Sequence, residues 1–152
     1  MEVIESLEVA GRGVGLVHYG ERDVALFKAL TSRGAVVHEL CLYEWLLPLD
    51  IAPLKALVGE VIAGNCDAVV FTSQIQCRHL FEVAAADRLD ADLMTALNER
   101  TVVASVGPVC TAALNRFGIV PDVFPDRPKM APLIAALASY FTAAGSEKGH
   151  SK

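Results

Sequence analysis

The stretch Asp67-Ala68-Val69-Val70-Phe71-Thr72-Ser73 decides how the chain folds. A continuous apolar run of this length, closed by Thr72-Ser73, reads as a strand buried on both faces, the kind a parallel sheet covered by helices requires. Ser73 stands where a helix should begin, as a side chain able to cap it, and Ile75, Leu80, Phe81 and Val83 follow at helical spacing. Toward the amino terminus, residues 14–19 read as a strand closed by Gly20, and Val24, Leu26, Phe27 and Leu30 as one face of a helix over 23–30. Gly34 stops that helix, and a second strand follows at 35–42, completing a βαβ unit. Pro48 and Pro53 bracket the start of another helix, with Leu54, Leu57, Val58, Val61 and Ile62 on one face and Gly64-Asn65 at its end.

Toward the carboxyl terminus the pattern predicts a helix at 89–97, a strand at 101–106, a helix at 109–117 stopped by Gly118, a short fifth strand at 122–124 and a last helix at 130–143. Strands alternating with helices imply an α/β fold: a mostly parallel five-stranded sheet with helices on both faces, a flavodoxin-like three-layer αβα arrangement. The expected organisation is a lead-in at 1–12, one α/β domain at 13–143 and a disordered tail at 144–152.

Composition narrows the functional classes. The chain has 152 residues, 53% hydrophobic and 20% charged, which is enough apolar material for a folded core. The most apolar stretch, 131–144, contains Pro132, Ser139 and Thr142 and is shorter than the roughly 20 residues a membrane span needs. Met1 is followed by Glu2, Glu5 and Glu8 rather than by a basic, then apolar leader, so the cytoplasm is the expected compartment. Cys41, Cys66, Cys77 and Cys110 are widely spread, which signals neither a disulfide framework nor a zinc site. Cys77 and His79, two apart, point to different sides of a helix, so no metal is expected. A net charge of -5 without a basic stripe excludes nucleic acid as a partner.

In a parallel sheet of this kind ligands bind beyond the carboxyl ends of the strands, where helix starts present unpaired amides. The loops in question are Tyr19-Gly20-Glu21, Thr72-Ser73-Gln74 and Val106-Gly107-Pro108. Gly11-Arg12-Gly13-Val14-Gly15 is not a dinucleotide fingerprint, because its glycines precede the first strand. Phe71-Thr72-Ser73-Gln74-Ile75 lacks the glycines of a nucleophile elbow, which leaves Ser73 as a helix cap, and the same strand end lacks the acidic cluster of a phosphorylation receiver.

Four segments resemble, in order and spacing, the carboxyl-terminal half of uroporphyrinogen-III synthase. They are Leu42-Tyr43-Glu44-Trp45, the stretch from Asp67 to Ser73, Ala104-Ser105-Val106-Gly107-Pro108-Val109-Cys110, and Gly118-Ile119-Val120-Pro121-Asp122 through Pro128-Lys129-Met130. The resemblance covers about residues 12 to 140. It implies a cofactor-free cyclisation of hydroxymethylbilane to uroporphyrinogen III, with loss of water and inversion of the last pyrrole ring, in tetrapyrrole (heme) biosynthesis. By the same resemblance Thr72, Ser73 and Gln74, with Gly107, Pro108, Val109 and Cys110, would bind the substrate's carboxylate arms. Tyr43 matches the tyrosine that assists loss of the hydroxyl group, although packing beside Trp45 would equally account for it. Where the family often has threonine after Gly-Pro, this chain has Val109 and Cys110.

The family enzyme has two α/β halves with substrate in the cleft between them, and its chain crosses between domains near the segment matching Tyr43. The resemblance therefore leaves three arrangements for this chain: one compact sheet, exchange of elements in a homodimer, or assembly with a separate amino-terminal half. A catalytically silent module of the same fold that binds an anion or a tetrapyrrole is the alternative function, favoured by the absent half, whereas Tyr43 favours the enzyme. A flavodoxin-like nucleotide or flavin binder lacks the phosphate loop it would need.

Overall fold

The structure is a computed structural model that describes residues 8–148. It divides into two compact units between Leu46 and Leu47.

The first unit is built from β1 (Gly13–His18), α1 (Val24–Ser32) and β2 (Val36–Cys41). The strands pair in parallel, with Gly13 opposite Val36 and His18 opposite Cys41. Asp23 caps α1 by accepting from the Leu26 amide at 2.8 Å. Gly34 ends the helix at φ +81°, a left-handed conformation that glycine adopts without a steric penalty. The described part of the lead-in is tied to the same turn, the Gly11 amide donating to the Gly34 carbonyl at 2.8 Å.

A polar cluster joins the ends of β1, α1 and β2. Buried His18 receives the Asp23 amide at Nδ1 (3.3 Å) and meets Glu39 Oε1 through Nε2 at 2.9 Å, so the neutral ring with its proton on Nε2 satisfies both partners. Arg22 donates to both Glu39 oxygens and lies 4.7 Å over the Phe27 ring. Meanwhile Val17, Val36 and Leu40 stay exposed, although parallel strands are ordinarily covered on both faces.

The second unit contains α2 (Ala52–Ile62), β3 (Ala68–Phe71), α3 (Gln74–Ala86), α4 (Asp90–Glu99), β4 (Val102–Ser105), α5 (Pro108–Arg116) and α6 (Met130–Lys148). β3 and β4 pair in parallel with Ala68 opposite Val102 and Phe71 opposite Ser105. Alternation along the strands divides the core. Val69, Phe71 and Val103 pack with Val58, Val61, Leu80, Leu97 and Leu114 of the surrounding helices, while Val70, Val102 and Ala104 pack with Val123 and with Leu133 and Leu137 of α6. Helices thus cover both faces of this strand pair.

Three expectations are corrected. The five-stranded flavodoxin-like sheet is absent among the described residues, which hold two separate parallel pairs. Each βαβ signal is local, whereas the neighbour of β2 or β3 is chosen by distant contacts that alternation does not encode. At 122–124 there is a single bridge, Ala104 to Val123, in place of a fifth strand. The Asp122 side chain, not a backbone carbonyl, takes the Val103 amide at 2.7 Å, and Pro121 and Pro125 flank the segment without amides to donate. The last helix continues beyond 143 to Lys148; the remainder of the expected tail, 149–152, lies outside the described residues.

The Arg22 contacts hold the Glu39 carboxyl down at about 2, below its ordinary 4.5, against the opposing effect of burial. Folding therefore favours the carboxylate, and this contribution is complete above pH 4.5 and fades as pH falls toward 2. Trp45, the chain's one tryptophan, reports on this unit. Its fluorescence in urea titrations should show a midpoint that drops between about pH 7 and about pH 3, and drops less in Glu39→Gln; equal drops would exclude the ion pair as the cause.

Candidate anion site at two helix starts

Phe71 and Ser105 lie opposite each other at the carboxyl ends of β3 and β4, so the helices that follow, α3 and α5, begin side by side. The contact between them is measured by Cys77 Sγ and Cys110 Sγ, 3.8 Å apart near the first turn of each helix. The pairing therefore brings Thr72, Ser73 and Gln74 together with the 107–110 turn. Tyr43 belongs to the first unit.

The α3 start is already occupied. Ser73 caps it, its hydroxyl accepting from the Ile75 amide at 3.4 Å. Gln76 completes a capping box: its Oε1 accepts from the Thr72 amide at 2.8 Å, the Ser73 amide at 3.2 Å and the Thr72 hydroxyl at 3.2 Å. A neutral carbonyl oxygen thus holds the amides at this helix start. Gln76 was missing from the expected site, although Ser-x-x-Gln before an apolar run is the signal that finds it.

The α5 start is different. Gly107 is its N-cap and no side chain caps it, while Pro108 fills the first turn. Val109 is exposed, but Cys110 is buried, its thiol directed at the Phe71 carbonyl at 3.6 Å rather than outward. Beneath the turn, buried Ser105 accepts from the Thr111 hydroxyl at 2.9 Å and donates to the Gly107 carbonyl at 3.3 Å. Pro128 presses on Gly107 so closely that a Cβ there would lie 2.7 Å from the proline Cβ. The neighbours of Pro128 are Arg127 and Lys129, which brings two cationic residues to this end of the unit, a placement the distance in sequence concealed.

In the first unit Tyr43 is half-exposed and meets Tyr19 (5.8 Å) and Trp45 (5.4 Å) edge to face. Its carbonyl accepts from the Gly20 amide at 3.0 Å, and Trp45 Nε1 donates to the Tyr19 carbonyl at 3.4 Å. Gly20, at φ +83°, lies directly against the Trp45 ring, which leaves no room for a side chain. Tyr43 therefore packs beside Trp45 while part of its ring stays open to solvent.

Parallel strands, each pair joined through intervening helices, place the chain among α/β proteins. The chain belongs to the uroporphyrinogen-III synthase family: the family model described as uroporphyrinogen-III synthase HemD matches residues 1–135. A Methanothermobacter thermautotrophicus protein carrying the name "Putative uroporphyrinogen-III synthase" is 32% identical over 138 residues, 91% of this chain and 53% of that protein. An uncharacterized protein of Bacillus subtilis is 30% identical over 138 residues, again 91% of this chain, and 51% of that protein. Among solved structures, wild-type uroporphyrinogen III synthase of Thermus thermophilus superposes with a TM-score of 0.62 at 31% identity, covering 95% of this chain and 54% of that one. A mutant form of that enzyme gives a TM-score of 0.69 at 29% identity over the same shares. The chain spans about half the length of the relatives it matches. No helix among the described residues is long and apolar enough to cross a membrane.

The contact between Gly107 and Pro128 is testable by itself. Gly107→Ala should destabilise the second unit by about 1–3 kcal/mol through overpacking, read as a lower urea midpoint with an unchanged slope. An unchanged midpoint would mean that the 125–129 segment yields freely.

Proposed function

We propose that this chain cyclises hydroxymethylbilane to uroporphyrinogen III with loss of water and inversion of the last pyrrole ring, without a cofactor. The observation that carries the reading is the side-by-side placement of the α3 and α5 starts at the ends of β3 and β4, in a chain of the uroporphyrinogen-III synthase family. The substrate presents eight carboxylates to a protein of net charge -5, so attraction has to be local. The amides of Thr72 and Ser73, the uncapped turn of α5 and the cations Arg127 and Lys129 supply it, with Gln76 giving way to a carboxylate oxygen.

Loss of the hydroxyl group needs a proton, which leaves with the oxygen as water. The Tyr43 phenol is an O–H donor that can supply it. Among the described residues no hydrogen bond engages its oxygen, so the proton is available. Orientation of the substrate and fixed dipoles at its carboxylates supply the remaining acceleration.

We further propose that the working form is a homodimer in which two copies exchange the elements before about Tyr43. Its support is the apolar surface left open on both units. Val17, Val36 and Leu40 are exposed on the first. On the second, β3 pairs among the described residues with β4 alone, and a groove lined by Leu54, Leu57, Val69, Val70, Phe71 and Leu80 opens beside it. Two-stranded sheets are marginal on their own, and exchanging identical elements is a low-cost way to extend them.

Purified chain incubated with freshly generated hydroxymethylbilane should yield the III isomer after oxidation; the I isomer alone, the product of spontaneous closure, overturns the enzymatic reading. Tyr43→Phe should lower the rate of III formation by about a hundredfold or more while Trp45 fluorescence stays native-like. An unchanged rate would assign Tyr43 to packing alone. Light scattering should return twice the 16.2 kDa chain mass, and a value near 16.2 kDa excludes the homodimer.

A further inference from the structure

The carboxyl-end cluster of the second unit contains two sulfur groups that the proposed reaction does not use. Cys77 and Cys110 are buried on α3 and α5, with their sulfurs 3.8 Å apart. Each also meets a backbone carbonyl, Cys77 that of Ser73 at 3.8 Å and Cys110 that of Phe71 at 3.6 Å. The other two cysteines differ, since Cys41 is exposed in the first unit and Cys66 is half-buried.

We propose that Cys77 and Cys110 form a dithiol site that takes a small hydroperoxide and closes to a disulfide across the starts of α3 and α5. Closure needs the sulfurs to approach to about 2.05 Å, and they already touch with no atom between them. Burial admits a molecule the size of hydrogen peroxide during brief local opening and keeps bulkier oxidants out.

The roles of the two sulfurs are unequal. The hydrogen bond from Cys77 holds the Cys110 thiol below the ordinary thiol range, with burial opposing and the Ser105 hydroxyl and Val106 amide assisting. The same contact, together with burial, pushes Cys77 up. Cys110 is accordingly the thiolate that attacks the peroxide: an S–O bond forms, the O–O bond breaks, and the leaving oxygen takes a proton and departs as water. The Cys77 sulfur then attacks the sulfenic sulfur of Cys110. The S–S bond forms, the S–O bond breaks, and hydroxide leaves with the Cys77 proton as a second water. Two thiols and one peroxide become one disulfide and two waters.

The product ties together two helix starts whose cysteines are 33 residues apart. It restrains the unfolded chain and should raise the thermal midpoint.

The test uses the full chain carrying Cys41→Ser and Cys66→Ser, which leaves only this pair. Hydrogen peroxide added to the native protein should lower the intact mass by two hydrogens, join the Cys77 and Cys110 peptides in a non-reducing digest, and raise the thermal midpoint in a manner reversed by dithiothreitol. A further Cys110→Ser change should abolish the cross-link and leave Cys77 open to alkylation after unfolding. Oxygen added to Cys110 as sulfinic acid with Cys77 still alkylatable, or a native protein that stays in the dithiol form under peroxide, overturns the proposal. Isomer formation enters none of these readouts, so the site stands or falls apart from the cyclisation.

Discussion

The pairing of β3 with β4 sets the level at which two helices begin. Phe71 lies opposite Ser105, so both strands end together, and the chain leaves each of them into a helix within a few residues. A parallel slip by one residue would send Val69 and Phe71 to the α6 face and Val70 to the other, reversing the division of the core as well as separating the helix starts. The apolar alternation that builds the core is thus the same constraint that brings the Thr72-Ser73-Gln74 loop against the Gly107 turn. Site and core cannot be varied independently here.

Much of this was legible in the sequence because its signals are local. The run from Ala68 to Phe71 marks β3, Ser73 stands at the cap it was read as, and Gly34 and Gly118 adopt the left-handed conformations that stop their helices. What stayed hidden depends on pairs far apart. Cys77 meets Cys110 and Gly107 meets Pro128 only once the strands have paired. Asp122 is a borderline case: its side chain takes the Val103 amide that a strand would have served with a carbonyl, so the segment lies beside β4 without becoming a strand. The division near Leu46 was likewise invisible to periodicity, because two parallel pairs and one larger sheet share the same alternation of elements.

The two units differ in how completely they satisfy themselves. The second buries a core on both faces of its strand pair, whereas the first rests on one polar cluster and leaves valine and leucine exposed. Parallel pairs need covering on both sides, so the first unit carries the stronger demand for further protein surface.

Gln76 gives the α3 start a built-in competitor. Its Oε1 already bonds two amides and a hydroxyl, so an incoming anion gains only the difference between its own charge-assisted bonds and those it replaces. Because the competitor is tethered, its effective concentration is set by a side chain a few bonds long and does not fall on dilution. A lone acetate therefore recovers little by entering. A ligand with several carboxylates on one frame can accept that cost at one position while it is held at others. In the proposed function the capping glutamine would thereby act as a filter on valency, favouring ligands with several carboxylates over those with one.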